Sequence, residues 1–445
     1  MSGVLFAKDY SLTNLSLLTP KGVVDLRDIM IEISYQEDIF NNTTSGYVMV
    51  SESMSYNELM GLTGNEFLRL SFNKTGDTST QVDKLVRVYK MDKRRLEGNM
   101  YTESYCLHFC SEEMLLNEQY KLCKSYKAQT VTDMINDILT NTLKVPSNKI
   151  RYIEQSYGIY DFVIPTIKPF DAINWLSTYA RSNDVANRPG ADMIFFENKF
   201  GYNFQSLQSL MLGLSLHTYV YDPKNIDSNI NNTEKVWNVT TYEILNSYDT
   251  LDGINSGMFA NQLISLDVLT REQKVTNFDY DVYQKSAYKL NDYPLNNGYV
   301  NRMGDKTNET SRAVLKLAFS NFGEANNSVI QSKPGSVGHN IFAETYIPNR
   351  TAQIPLDNYI RMKISVPGDP NVTVGSAINF ELASNNPVNK TPNRIYSGKY
   401  LVSAVRHLIN VNEYKTVMEI IKESVPYELT QIPASSALWQ SSVKG

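Results

Sequence analysis

At 445 residues the chain has length for about three domains of ordinary size. Its composition, 42% hydrophobic and 20% charged, is that of a folded protein and excludes extended disorder. The net charge of −5, from 42 Lys and Arg against 47 Asp and Glu, excludes a DNA-coating role, which needs a basic surplus. Twenty-nine tyrosines outnumber 17 phenylalanines, which suits half-buried strand faces and contacts between subunits. The opening residues Met1 to Asp9 carry no secretory pattern, and no apolar run approaches the roughly 18 residues that span a bilayer. Cys106, Cys110 and Cys123 are too few for a disulfide framework, so synthesis in a reducing cytoplasm is expected.

In chain order, Ile29 to Tyr35 and Tyr47 to Ser53 read as strands around a polar turn. Glu66 to Phe72, Lys84 to Met91 and Tyr101 to Cys110 continue the series, which predicts a barrel or sandwich. Val131, Met134, Ile135, Ile138 and Leu139 then fall on one helical stripe, opened by Thr130 and Asp133 as a capping box. A second helix opens near Pro169, with Ala172, Ile173, Leu176, Tyr179 and Ala180 on one face. Tyr160 to Ile164 and Met193 to Glu197 are strand-like, so residues 119–210 form an α/β unit. Strand character returns at Trp237 to Ile244 and Phe259 to Val268. A short helix is expected at Ser311 to Asn321 and a loop at Gly323 to Asn340. Tyr359 to Val366, Ala377 to Leu382, Lys399 to Leu408 and Tyr414 to Lys422 read as four further strands, before a Ser-rich tail.

The two β segments repeat. Phe67 to Phe72, Lys84 to Tyr89 and Tyr105 to Cys110 match Ala377 to Leu382, Lys399 to Arg406 and Tyr414 to Ile420 in order and spacing. Ser34-Tyr35 with Ser45-Gly46-Tyr47 matches Ser247-Tyr248 with Ser256-Gly257-Met258, which predicts equivalent opening hairpins. Both hairpins are purely acidic: Asp28, Glu32, Glu37, Asp38, Glu52, Glu58 and Glu66 in the first, Glu243, Asp249, Asp252 and Asp267 in the second. A one-sign surface of this kind repels polyanions, though a merely solvated face would look the same.

Motifs for phosphate, dinucleotide, serine-nucleophile or zinc-protease chemistry are missing from the sequence. Cys106, His108 and Cys110, with Cys123 beyond, could be drawn as a zinc set. Their mid-strand placement reads instead as buried wall. Asp279-Tyr280-Asp281 does not define a glycosidase pair, and Lys93-Arg94-Arg95 reads as a solvated turn. The residues nominate no catalytic, cofactor-binding or metal site, no cofactor and no enzyme.

Pro367-Gly368-Asp369-Pro370-Asn371-Val372-Thr373-Val374-Gly375, Ser397 to Val402, Val405-Arg406-His407 and Tyr414-Lys415-Thr416 resemble the central baseplate hub protein of contractile-tailed bacteriophages. Lys168 to Leu176 and Phe278-Asp279-Tyr280-Asp281 are similar to the same family, which is related to the hub part of type VI secretion spikes. The resemblance implies an α+β, predominantly β chain with two similar antiparallel β-barrel tube domains. Their expected bounds are 1–118 for the first and 211–284 with 346–427 for the second. Residues 119–210 would be the α/β domain between them, 285–345 an insertion and 428–445 a tail. It further implies a homotrimeric, pseudo-six-fold ring that joins a three-fold central spike to the six-fold tail tube or its initiator. Baseplate wedge proteins would surround the ring, and tape measure protein and DNA would pass through it unbound. The implied place is the virion tail, assembled in the host cytoplasm and away from membranes. The acidic hairpins would line the bore. A peripheral receptor-binding tail protein and a tail-associated glycan hydrolase are the alternative readings.

Overall fold

The computed structural model describes residues 9–75, 77–96, 102–183, 191–221, 237–267, 271–280, 282–283, 288–294, 315–319, 343–357, 359–384 and 392–428. Most of the 285–345 stretch and nearly all of the tail therefore lie outside the described residues. The chain opens with β1 (Tyr10–Thr19), β2 (Gly22–Asp25), β3 (Met30–Asp38), β4 (Ser45–Glu52), α1 (Tyr56–Met60), β5 (Phe67–Lys74), the long β6 (Asp77–Leu96) and β7 (Glu103–Cys110). Next come α2 (Glu112–Gln119), β8 (Leu122–Gln129), α3 (Val131–Asp137), β9 (Ile150–Ile153), β10 (Tyr160–Ile167), α4 (Pro169–Ser177), β11 (Met193–Asn198), β12 (Gly201–Ser206) and α5 (Leu207–Met211). The remainder is β13 (Ser215–Tyr221), β14 (Thr241–Asn246), α6 (Thr250–Ser256), β15 (Ala260–Leu266), β16 (Gln273–Asp279), β17 (Tyr293–Pro294), β18 (Leu315–Phe319) and α7 (Ala343–Asp357). It ends with β19 (Ile360–Pro367), β20 (Ala377–Leu382), β21 (Gly398–Asn410), β22 (Tyr414–Lys422) and β23 (Ser424–Val425).

The protein is predominantly β. A 13-stranded sheet runs β14-β19-β22-β21-β3-β4-β7-β6-β5-β1-β2, with β20 on β21 and β13 on β20. The expected closed barrels are not formed by strand pairing among the described residues: the sheet is open, ending at β14 and β2. The reason lies in β21. Its first half pairs with β20, and its second half crosses to β3, tying the two ends of the chain together.

The two ladders share one register. In the first, Phe67 faces Arg87, Arg87 faces Cys110, Cys110 faces Ser45 and Ser45 faces Gln36. In the second, Ala377 faces Leu401, Leu401 faces Ile421, Ile421 faces Arg361 and Arg361 faces Asn246. Even the irregularity is repeated, a bulge between Val88 and Lys90 in β6 and between Val402 and Ala404 in β21. Val88 N–H bonds Glu66 C=O at 3.0 Å, and Val402 N–H bonds Ser376 C=O at 2.9 Å.

The opening hairpins do not correspond as expected. The partner of β14, and so the counterpart of β4, is β19, more than a hundred residues further on. Ser256 and Gly257 instead end α6, where Gly257 takes φ 80° as the left-handed C-cap. β15 pairs with β16 and β18 in a separate three-stranded sheet. The helix expected at 311–321 is a strand where it is described: Leu315, Leu317 and Phe319 alternate with Lys316 and Ala318, and β18 runs parallel to β15. The Lys93-Arg94-Arg95 run lies in β6 rather than in a turn.

Separate cores underlie these parts. Leu15, Ile33, Val48, Leu70 and Phe72 pack in the first ladder, while Met362, Ile378, Phe380, Val402 and Met418 pack in the second. In the α/β region, Val131, Met134, Ile135, Ile138 and Leu139 are buried together with Ala172, Ile173 and Leu176 of α4. Thr130 and Asp133 form the expected capping box, and Pro169 stands in the first turn of α4. A fourth core joins Phe259, Phe278, Tyr280 and Tyr283 to Ala352 of α7.

Candidate functional site: the ladder joint and two open edges

The segment from Pro367 to Gly375, between β19 and β20, is the place where both ladders and the α/β region meet. Gly368 lies against the Tyr414 ring, where an added Cβ would stand 1.9 Å from Cδ1. The Asp369 carboxylate accepts the Tyr219 hydroxyl at 2.6 Å and the Asn371 N–H at 3.0 Å. Lys199 reaches in from the α/β region, donating to the carbonyls of Pro370 at 2.5 Å and Asn371 at 3.2 Å. Burial lowers the pKa of Lys199, with Glu37 and Asp369 acting against that shift.

Glu37, at the end of β3, crosses this joint. It accepts the hydroxyls of Tyr35 and Thr373 and the N–H of Val374, and burial outweighs these bonds to raise its pKa. His407 sits beside it on β21, stacked on Tyr35 at 6.0 Å and within 5.7 Å of Phe72. Its Nδ1 is 2.8 Å from the Tyr414 hydroxyl. Burial, reinforced by Lys199, pushes the His407 pKa down to about 3, so the ring is neutral.

A second link ties β4 and β7 to the α/β region. Glu197 on β11 is 3% exposed and accepts from Lys84 Nζ at 2.9 Å, from Thr44 N–H at 2.9 Å and from the Ser111 hydroxyl. Burial drives its pKa up, but Lys84, Ser111 and Thr44 together hold it below the ordinary value.

The acidic residues divide accordingly. Glu37, Glu52 and Glu66 are buried and hold backbone: Glu52 accepts Met54 and Tyr56 N–H groups, and Glu66 accepts those of Thr63, Gly64 and Asn65. These three, and Asp267, which is also buried, are no bore lining. Asp28, Glu243, Asp249 and Asp252 are exposed, although Asp249 also caps α6 through Asp252 N–H.

Cys106 and Cys110 are buried, as the wall reading expects, while Cys123 is exposed, and the structure brings Cys106 and His108 together with Asp92 instead of with the other cysteines. Asp92 accepts from His108 at 3.0 Å and pairs with Lys90 at 2.8 Å, which accounts for the cluster by hydrogen bonding. At the matching positions of the second ladder stand Arg406, Val417 and Glu419, so the cluster is not part of the repeat. Burial pushes the Cys110 thiol up to about 11.

Among the strand edges left open in the described residues, two match edges that pair with one another at the internal joint. Beyond Arg87, β6 keeps β7 on one side and has no strand on the other. The outer edge of β14 is likewise unpaired. Sequence reasoning found neither edge; the signal was the duplication itself, since the matching edges of β21 and β3 pair with one another.

No family model matches the sequence, and no curated protein does. Solved structures do. A prophage MuSo2 43 kDa tail protein from Shewanella oneidensis aligns over 92% of this chain and 98% of its own, with TM-score 0.54 at 8% identity. The chain has a phage tail-protein fold. A tail protein from Neisseria meningitidis MC58 agrees, covering 93% of this chain and 97% of its own, with TM-score 0.52 at 10% identity. The shared tail-protein fold extends through the α/β region as well as both ladders, because the alignments take in almost the whole chain.

Proposed function

We propose that this protein is the structural central hub of a contractile phage tail baseplate. The observation that carries the reading is the repeat: one chain holds two ladders with the same strand order, register and bulge, inside a tail-protein fold. Three such chains in a ring present six similar units, which is what a joint between a three-fold spike and a six-fold tube requires. In this reading the first tube unit is residues 1–118 and the α/β domain 119–210. The second unit is 211–246 with 359–427, and the excursion between β14 and β19 is an insertion, wider than 285–345 alone.

The ring would meet the central spike below, the tail tube or its initiator above, and wedge proteins around it. Tape measure protein and DNA would pass through its bore. Exposed Asp28, which lies outside both open strand edges, is suited to keep that passage unattractive to DNA by repulsion in a confined channel. The role is mechanical and needs no cofactor.

Light scattering behind a sizing column tests the assembly. The expected species is about 152 kDa, three times the 50.6 kDa chain. A 50.6 kDa species that stays single when spike protein is added contradicts the hub.

A further inference from the structure

The internal joint specifies what belongs on the two open edges. Within one chain β21 and β3 pair antiparallel, Arg406 facing Gln36, Leu408 facing Ser34 and Ile409 facing Ile33. The shared register gives each of these residues a counterpart. Asp92, Arg95 and Leu96 of β6 match Arg406, Leu408 and Ile409 through their partners on β7 and β22. Asn246, Glu243 and Tyr242 of β14 match Gln36, Ser34 and Ile33 through their partners on β19 and β4.

We propose that the second half of β6 pairs antiparallel with β14 of a neighbouring copy of this chain, Asp92 facing Asn246, Arg95 facing Glu243 and Leu96 facing Tyr242. The proposal rests on the ring reading above and supplies its contact. It repeats between chains the step that the fold already makes within one, so it is head-to-tail and closes only as a ring. The exchange also covers both exposed edges, which would otherwise recruit other strands.

Side chains on the two edges are complementary. Arg95 is exposed with no ion pair among the described residues, and Glu243 is 64% exposed with only a 3.9 Å approach to Lys363. Residues directly opposite in an antiparallel pair share a face, so the two charges would meet. Lys93 and Arg94 lie beside Arg95, while Asp249 and Asp252 follow β14. Apolar surface agrees: Leu96 is exposed on one edge, and Tyr242, Tyr248 and Leu251 on the other. Next to the β6 edge lies a cleft lined by Asn57, Leu62, Thr63, Gly64, Tyr89 and Met91. In the internal joint, the residue that follows β3, Ile39, is fully buried, and its N–H bonds Ser403 C=O at 2.9 Å. Tyr248 and Leu251 follow β14 in the same way and would be delivered over that cleft.

The test uses the full chain and two kinds of variant. In a Cys123→Ser background, which removes the exposed native thiol, Arg95→Cys with Glu243→Cys in one chain is expected, on mild oxidation, to give disulfide-linked species ending at three chains. Each single variant stays single on a non-reducing gel. Glu243→Arg alone is expected to shift the native mass to one chain, and Arg95→Glu in the same chain to restore it. Both sites are exposed, and unchanged circular dichroism confirms folding. A three-chain mass in every charge variant, with no disulfide in the double cysteine chain, overturns the pairing and leaves the hub reading standing. One-chain mass throughout, again with no disulfide and with spike protein added, overturns both.

Discussion

His407 shows how much one residue at the joint decides. Its ring is enclosed by Tyr35, Phe72 and Tyr414, and its pKa is pushed down to about 3 from an ordinary value near 6.5. The unfolded chain therefore binds a proton below about pH 6.5 that the folded chain refuses until about pH 3. Stability is lost as pH falls through that window, by up to about 1.4 kcal/mol per pH unit. Asp192, raised to about 7 by burial, has the opposite sign: its contribution is present at low pH and is lost as pH rises. A comparison with His407→Phe removes such background. Between pH 7 and pH 5, denaturant unfolding of the natural protein should lose about 2 kcal/mol more than that variant. Parallel pH profiles would contradict the buried neutral ring. The chemistry of this joint was only half legible in the sequence. Gly368, Asp369, Thr373 and His407 stood out as motif residues, but that they converge with Glu37, Tyr219 and Lys199 depends on contacts across up to 337 positions. Periodicity and spacing carry no such information. For the same reason Glu37 reads as a surface acid in sequence while it is fully enclosed in the fold.

At the scale of elements, strands with a buried face were legible and those set by distant pairing were not. Val131 to Leu139 and Ala172 to Leu176 showed their helical stripe because one face packs into a single core. β18 failed because a five-residue alternating run carries too little length to separate strand from helix, and its ladder partner β15 lies some fifty residues back. α7 was missed because Pro348 and Pro355 lie inside it, and proline is a local signal against helix. The contact of β11 with the first ladder is the most exposed to a single change. Glu197→Ala would leave the Lys84 ammonium, 12% exposed, with the Asn198 carbonyl at 2.8 Å as its remaining partner. Removing one member of a buried pair costs about 3–5 kcal/mol. Thermal denaturation should show that loss, together with easier proteolysis between residues 111 and 130. A loss below about 1 kcal/mol would mean the pair is not enclosed as described.

At the scale of the molecule, the duplication is the organising fact. The order of strands was visible in the sequence, yet the excursion between β14 and β19 hid the true counterpart of β4 and offered Ser256-Gly257 as a false match. In the proposed assembly, a chain that pairs its own two ladders edge to edge, and leaves one edge of each kind open among the described residues, continues the pattern into a neighbour. Electron microscopy of the purified protein, viewed face-on, tests that most directly. The account predicts a closed ring with three-fold symmetry and six near-equivalent lobes around a central hole. Isolated two-lobed particles, or a two-fold assembly, would contradict it.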